Sequence, residues 1–269
     1  MQRRLRRKLT AKAWRRNVTT VAKSSPHGSC VAGTGLRAAA RLLPADAGPT
    51  LARRSLLPKG FAAISTTGGI FLDNGTSGAI NITTLDGVTG ISTATSGNIG
   101  IINSAAANIK VSSAIDANRV GGTVTLNAGA ALDIDAAITA AGAIDLDAAT
   151  NFDIDATITG GGNVELDTTG GTVDVAAASR VIGGGDGTTL AINASGAITF
   201  NAGGDATETV TNTGSGAITV ISSGAGINLK NDAVSIADGV LTLTADGAIA
   251  VDSNATQQID SDGNVRISA

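Results

Sequence analysis

The side chains in this sequence that could do chemistry are carboxylates, which recur at matching places of a pattern repeated between residues 122 and 182. Oxygen ligands of this kind are what a hard cation such as Ca²⁺ prefers. One hypothesis is therefore a row of calcium sites along stacked repeats. The interpretation we favour is a solvated, charged outer face that keeps the protein soluble. The candidate metal ligands are Asp133, Asp135, Asp153, Asp155 and Asp174.

A second acidic set pairs Asp145 with Glu165 and Asp147 with Asp167. Paired carboxylates can serve as general acid and base, as in glycoside hydrolysis. The stretch from residue 61 onward nevertheless has no His, Cys, Trp or Tyr, so it has neither an aromatic sugar platform nor an activated nucleophile. Arg119 and Arg180 are the only arginines near the acids. We therefore expect no catalytic residues and no cofactor, with a polysaccharide lyase or hydrolase as the alternative.

The acids are carried by three copies of one pattern, which begin at Gly122, Gly142 and Gly162. The copies read GTVTLNAGAALDIDAAITAA, GAIDLDAATNFDIDATITGG and GNVELDTTGGTVDVAAASRVI. Apolar residues alternate within each copy, which predicts short β-strands, and a repeat near 20 residues predicts a stacked architecture. We therefore predict an all-β, parallel β-solenoid with three strands in each coil of about 20 residues. The residues expected to form buried columns are Val124, Leu126, Ile144, Leu146, Val164 and Leu166.

The opening unit of the pattern, Gly-x-apolar-x-apolar, recurs over residues 68–269. Where its spacing loosens we expect loops, at 103–121, 183–188 and 202–214. Glycine at each coil start is expected to supply positive φ. Asn or Asp after the first strand is expected to bond its own turn. The other copies of the unit begin at Gly68, Gly78, Gly97, Gly196, Gly216, Gly239, Gly247 and Gly263.

These units resemble the repeats of filamentous-haemagglutinin-type exoproteins and autotransporter passenger domains, the β-helical adhesins of bacterial surfaces. The resemblance covers about 68–269 and is architectural. It implies a right-handed parallel β-helix, export, and a role in adhesion or as a stalk. Host or neighbouring-cell glycans or proteins would then be the partners. Because the chain ends within a predicted strand, we also expect a fragment of a longer array whose further coils pack against this one.

The first 60 residues differ sharply from the rest of the chain. They carry fourteen Lys and Arg and one acid, Asp46, whereas residues 61–269 carry five bases and twenty-one acids. We interpret 1–60 as a basic head of low order or a mis-assigned start, with a targeting segment or an anion-binding arm as alternatives. Residues 61–269 form the repeat domain, whose acidity argues against nucleic acid. A single cysteine, Cys30, excludes an internal disulfide.

The sequence thus favours a structural or adhesive repeat segment of a secreted or cell-surface bacterial protein. No stretch is apolar enough for a transmembrane helix, and no export signal is recognisable. A calcium-stabilised surface scaffold is the remaining alternative.

Overall fold

The structure, a computed structural model, is built from β-strands, and the part of the chain that it describes contains no helix. The predicted all-β class is therefore confirmed. The residues described are 50–53, 60–66, 68–75, 78–104, 106–177, 179–201, 209–230, 234–236, 239–251, 259–261 and 263–269.

Most strands are three to five residues long. In the first half of the chain they are β1 (Thr50–Arg53), β2 (Ala63–Ser65), β3 (Ile70–Asp73), β4 (Ile80–Ile82), β5 (Thr84–Leu85), β6 (Val88–Thr89), β7 (Ile91–Thr93), β8 (Ile99–Asn103), β9 (Ile109–Val111), β10 (Ile115–Ala117), β11 (Val124–Ala128), β12 (Leu132–Ile134), β13 (Ile138–Ala140), β14 (Ile144–Ala148) and β15 (Phe152–Ile154). In the second half they are β16 (Ile158–Gly160), β17 (Val164–Thr168), β18 (Val173–Val175), β19 (Val181–Gly183), β20 (Thr189–Ala194), β21 (Ile198–Asn201), β22 (Val210–Asn212), β23 (Ala217–Ser222), β24 (Ile227–Lys230), β25 (Val234–Ile236), β26 (Leu241–Ala245), β27 (Ile249–Val251), β28 (Ile259–Ser261) and β29 (Val265–Ser268).

Three long parallel sheets run the length of the stack, and successive strands of the chain enter them in turn. Sheet 1 has the order β1-β3-β8-β11-β14-β17-β20-β23-β26-β29. Sheet 2 has the order β4-β9-β12-β15-β18-β21-β24-β27, and sheet 3 the order β2-β7-β10-β13-β16-β19-β22-β25-β28. Since each coil adds one strand to every sheet, the fold is the predicted parallel β-solenoid.

The core consists of apolar columns inside the three sheets. Val124 pairs with Ile144, which pairs with Val164, and the next inward position continues the same way through Leu146. All six residues predicted for these columns are at most 1% exposed. Burial of each such side chain contributes about 1.5–3 kcal/mol. The alternation of small inward and polar outward residues therefore explains how a chain with few aromatic residues forms a continuous core.

The coil length predicted from the central repeats is wrong for the rest of the chain. A coil takes 20 residues between Val124 and Ile144, but Ile70 pairs with Ile99 and Leu190 with Ile218. The additional residues lie in turns and in the antiparallel hairpin β5–β6, which is inserted between β4 and β7. The coils thus average about 24 residues.

The predicted loops fare unevenly. The loop expected at 103–121 is wrong, because this stretch contains β9 and β10 as ordinary members of sheets 2 and 3. The stretch 183–188 is confirmed as a turn after β19, with positive φ at Gly185 and Gly187. Of 202–214, residues 202–208 lie outside the described residues and β22 occupies 210–212.

The glycines that open the central coils serve a different purpose from the predicted one. Gly122, Gly142 and Gly162 do not have a positive φ. A Cβ on Gly122 would lie 2.3 Å from the carbonyl oxygen of Ala117, so the close approach of neighbouring backbone excludes a side chain there. Packing between coils, and not backbone conformation, is therefore the reason for glycine at this position.

Two asparagines lie fully inside the solenoid at the ends of β3 and β8. Asn74 Nδ2 donates to Asn103 Oδ1 at 3.0 Å, and Asn103 Nδ2 donates to the carbonyl oxygens of Gly78 and Asn108 at 3.2 and 3.1 Å. Both residues are 0% exposed. Buried polar groups are tolerated when they are bonded, so this pair links two coils and a turn.

Strand β1 lies within the stretch assigned to the basic head and pairs in parallel with β3, Thr50 opposite Ile70. The remaining residues of that stretch, 1–49 and 54–59, lie outside the described residues. The prediction of a low-order head therefore remains a prediction for them.

Candidate functional site

The first acidic column runs along the outer face of sheet 2. Asp133, Asp153 and Asp174 are the central residues of β12, β15 and β18, and they pair directly in register. Their neighbours in each strand are buried, so strand alternation turns the three carboxylates outward. The alignment predicted for these residues is confirmed.

Asp135 and Asp155 follow directly after β12 and β15. The backbone N–H of Asp135 donates to Val111 O at 3.0 Å, and that of Asp155 donates to Ile134 O at 2.9 Å. These bonds continue the stacking by one residue beyond each strand. The two carboxyl groups therefore lie beside the column, as the repeat spacing predicts.

A lysine that the repeat pattern does not reveal meets the first acids of this column. Lys110 Nζ lies 2.5 Å from Asp133 Oδ2 and 2.6 Å from Asp135 Oδ2. The two hydrogen bonds raise the pKa of Lys110 to about 12. Lys110 holds the pKa of Asp135 below its ordinary value. At Asp133, partial desolvation outweighs the lysine and the pKa is raised. The column therefore begins with a shared cation.

Further along the column the charge is not compensated in the same way. The pKa of Asp153 is raised, first by partial burial and then by the charges of Asp155, Asp133 and Asp174. Asp174 accepts a hydrogen bond from the amide of Asn201 in the next coil. The middle of the column thus carries like charges one strand step apart, a spacing at which they repel.

The second acidic column lies on sheet 1, on the same two central coils. Asp145 is in register with Glu165, and Asp147 with Asp167. Partial burial, followed by the neighbouring carboxylates, raises the pKa values of Asp145 and Glu165. This cluster is hereafter the sheet 1 acids.

Asparagine amides border the sheet 1 acids in both directions. Asn127 Nδ2 donates to Asp147 Oδ2 at 3.0 Å, and Asn193 Nδ2 donates to Asp167 Oδ1 at 2.6 Å. The role predicted for these residues, bonding their own turns, is wrong. Asn127 and Asp147 lie within β11 and β14 and bond across strands, because the strands extend one residue further than the alternation of large apolar residues indicates.

An open groove of about 780 Å³ follows the edge of sheet 1 next to these amides and acids. It crosses several coils, since residues from β11, β14, β17, β20 and the turns after them contribute to it. The groove is rich in hydroxyl, amide and carboxylate groups. Its lining includes Asn127, Asp147, Asp167, Thr169, Asn193, Ser195 and Ser223.

The geometry does not gather the acids into a metal centre. Among the described residues, no three His, Cys, Asp or Glu side chains converge as metal ligands. Calcium takes six to eight oxygen ligands. In-register carboxylates spaced along a sheet meet in pairs, and that arrangement provides fewer oxygens at one point.

The two arginines considered for catalysis lie apart from the sheet 2 column in the chain's path around a coil. Arg119 is exposed in the turn between β10 of sheet 3 and β11 of sheet 1. Arg180 directly precedes β19 and donates to Thr211 Oγ1 of sheet 3 at 3.4 Å. The described residues therefore offer no Arg–carboxylate contact that would define a catalytic centre from the printed geometry of these two side chains.

Among the described residues no helix is long and apolar enough to cross a membrane. A comparison of the chain with protein-family models, curated proteins and solved structures finds no match. The resemblance to filamentous-haemagglutinin-type repeats accordingly stays an expectation from the sequence.

Proposed function

We propose that this chain is a structural or adhesive repeat segment of a secreted or cell-surface bacterial protein, without catalytic activity. The observation that supports it best is the continuous stacking of three parallel sheets around closed apolar columns. Such a stack is stabilised by contacts between neighbouring coils, so it can present a long surface on a rigid support.

The groove beside the sheet 1 acids is the surface we assign to contact with a partner. Its hydroxyl and amide groups can donate and accept hydrogen bonds, which suits the hydroxyl groups of surface glycans or the backbone of a protein. The groove is shared among successive coils, so an extended ligand would contact equivalent positions of several repeats. Nucleic acid is disfavoured as its occupant because the groove and the repeat domain are acidic.

Binding of the purified full chain to an array of bacterial and host surface glycans tests the adhesive part of this proposal. The variant Thr169→Ala with Ser195→Ala removes two hydroxyls from the groove and leaves the buried columns intact. Thr159→Ala, on the outward side of sheet 3, is the matched control. We expect saturable binding that the groove variant weakens at least several-fold and the control does not change.

Absence of saturable binding to glycans and to intact bacterial or host cells would reject the adhesive role. Binding that all three proteins share equally would reject the groove as its site. Cell-surface display is tested separately, by adding protease to intact producing cells. Loss of the chain is the expected result, and its complete protection in cells that remain intact would reject display.

A further inference from the structure

The two acidic columns occupy two outer faces of the same central coils. Sheet 2 carries its acids on β12, β15 and β18, while sheet 1 carries its acids on β14 and β17. We propose that these coils, residues 122–182, form a pH-responsive segment that becomes more stable in mild acid, as protonation removes the repulsion between stacked carboxylates.

The groups that face the sheet 2 acids account for the charge on that side. On the preceding coil, Lys110 contacts Asp133 and Asp135, so repulsion is relieved at that end. On the following coil the facing residues, Thr199 and Asn201, are uncharged. The charged groups within the column are Asp133, Asp135, Asp153, Asp155 and Asp174.

On sheet 1 the neighbouring coils contribute no charge. Thr125 and Asn127 face the acids from β11, and Ala191 and Asn193 face them from β20. The charged groups are therefore the four acids alone, Asp145, Asp147, Glu165 and Asp167. On sheet 3 of the same coils the outward residues Thr139 and Thr159 are uncharged, and Arg180 precedes β19.

Register is what makes these acids act together. In-register residues on neighbouring strands of a parallel sheet are about 4.8 Å apart, and the coil stacking does not let them separate. One proton shared within a pair is enough to remove its like-charge repulsion. Unfolding separates the partners, so the repulsion exists only in the folded protein.

The direction of the pH dependence follows from the pKa values. Burial and neighbouring charges raise the pKa values of Asp145, Asp153 and Glu165, so the folded chain binds protons more tightly than the unfolded chain. Stability must then rise as the pH falls from neutral through these raised values toward the ordinary carboxyl pKa of about 4. Asp135, whose pKa is lowered by Lys110, opposes this only at still lower pH.

Thermal unfolding of the full chain, followed by far-UV circular dichroism at constant ionic strength, tests the proposal. Between pH 7 and a pH slightly above 4 we expect the melting temperature to rise by roughly 3 °C or more. A high salt concentration should reduce this rise by screening the carboxylates. A melting temperature that is constant or falls across this interval would overturn the proposal without any variant.

The variant Asp145→Asn with Asp153→Asn and Glu165→Gln removes three charges with little change of shape. It should melt higher than the unchanged chain at pH 7 and show a flatter pH profile. The control is Asp116→Asn, since Asp116 is in register with Ser92 and Thr139 and has no acid opposite it. If the control flattens the profile as much as the triple variant does, the stacked acids are not its cause.

Discussion

Lys110 Nζ lies 2.5 Å from Asp133 Oδ2, across one strand step of sheet 2, and this contact ends the acidic column on one side. Both side chains are more than a third exposed. Solvent therefore screens the pair, and an exposed ion pair contributes about 0–1 kcal/mol. The contact matters less for total stability than for the charge of the column it adjoins.

Replacing this lysine by a neutral side chain of similar length, Lys110→Met, should lower the free energy of unfolding by less than about 1 kcal/mol at neutral pH. It should also make stability more sensitive to salt, because Asp133 and Asp135 then repel without a shared cation. Urea unfolding at low and high NaCl measures both effects. The control is Lys230→Met, where the lysine donates to Asn201 and not to a carboxylate. An equal salt response in both variants would contradict the assigned role.

Two adjacent residues of β14 should respond oppositely to truncation. Ile144 is 1% exposed inside sheet 1, whereas Asp145 points outward beside Glu165. Ile144→Ala should cost about 2–5 kcal/mol, since it leaves a cavity between Val124 and Val164. Asp145→Ala should cost no more than about 0.5 kcal/mol, or stabilise the protein by removing a like charge. Equal losses in chemical denaturation would contradict the assigned faces.

Two glycines next to the inserted hairpin distinguish strain from steric overlap. Both Gly87 and Gly90 have positive φ, but a Cβ on Gly87 meets no atom within 4 Å. A Cβ on Gly90 would lie 2.0 Å from the carbonyl oxygen of Ala114 in the next coil. Gly87→Ala should therefore cost about 1–2 kcal/mol from backbone strain alone, and Gly90→Ala clearly more. A smaller loss at Gly90, measured by thermal unfolding, would be inconsistent with close coil packing there.

The alternation of apolar residues was sufficient to predict the strands, because burial in a sheet has a period of two. It was also sufficient to align Asp133 with Asp153, since both coils have the same length. Lys110 gave no such signal, because the coil that carries it differs in length from the central repeats. Asn103 was placed in a predicted loop, and only the coil packing shows that it is an inward residue bonded to Asn74.

Calcium addition separates a solvated acidic face from a metal site. Calcium-binding extracellular modules work in the range of about 0.1–1 mM. If the sheet 2 acids are solvated, Ca²⁺ in this range should shift the melting temperature no more than NaCl of the same ionic strength. Asp153→Asn with Asp155→Asn should then be neutral or slightly stabilising. A melting temperature that rises with the logarithm of free Ca²⁺, and no longer does so in this variant, would establish a calcium site.

The central claim, coils stacked in parallel register, is tested most directly by distances between spin labels on sheet 3. Ser92 and Thr211 are separated by five strand steps through aligned partners, and Thr139 and Thr211 by three. Labels would be attached after Ser92→Cys with Thr211→Cys, or Thr139→Cys with Thr211→Cys, each in a chain carrying Cys30→Ser. Steps of about 4.8 Å predict mean distances that differ by about 10 Å between the two pairs, with narrow distributions. Equal means, or a longer distance for the Thr139 pair, would contradict the parallel stack.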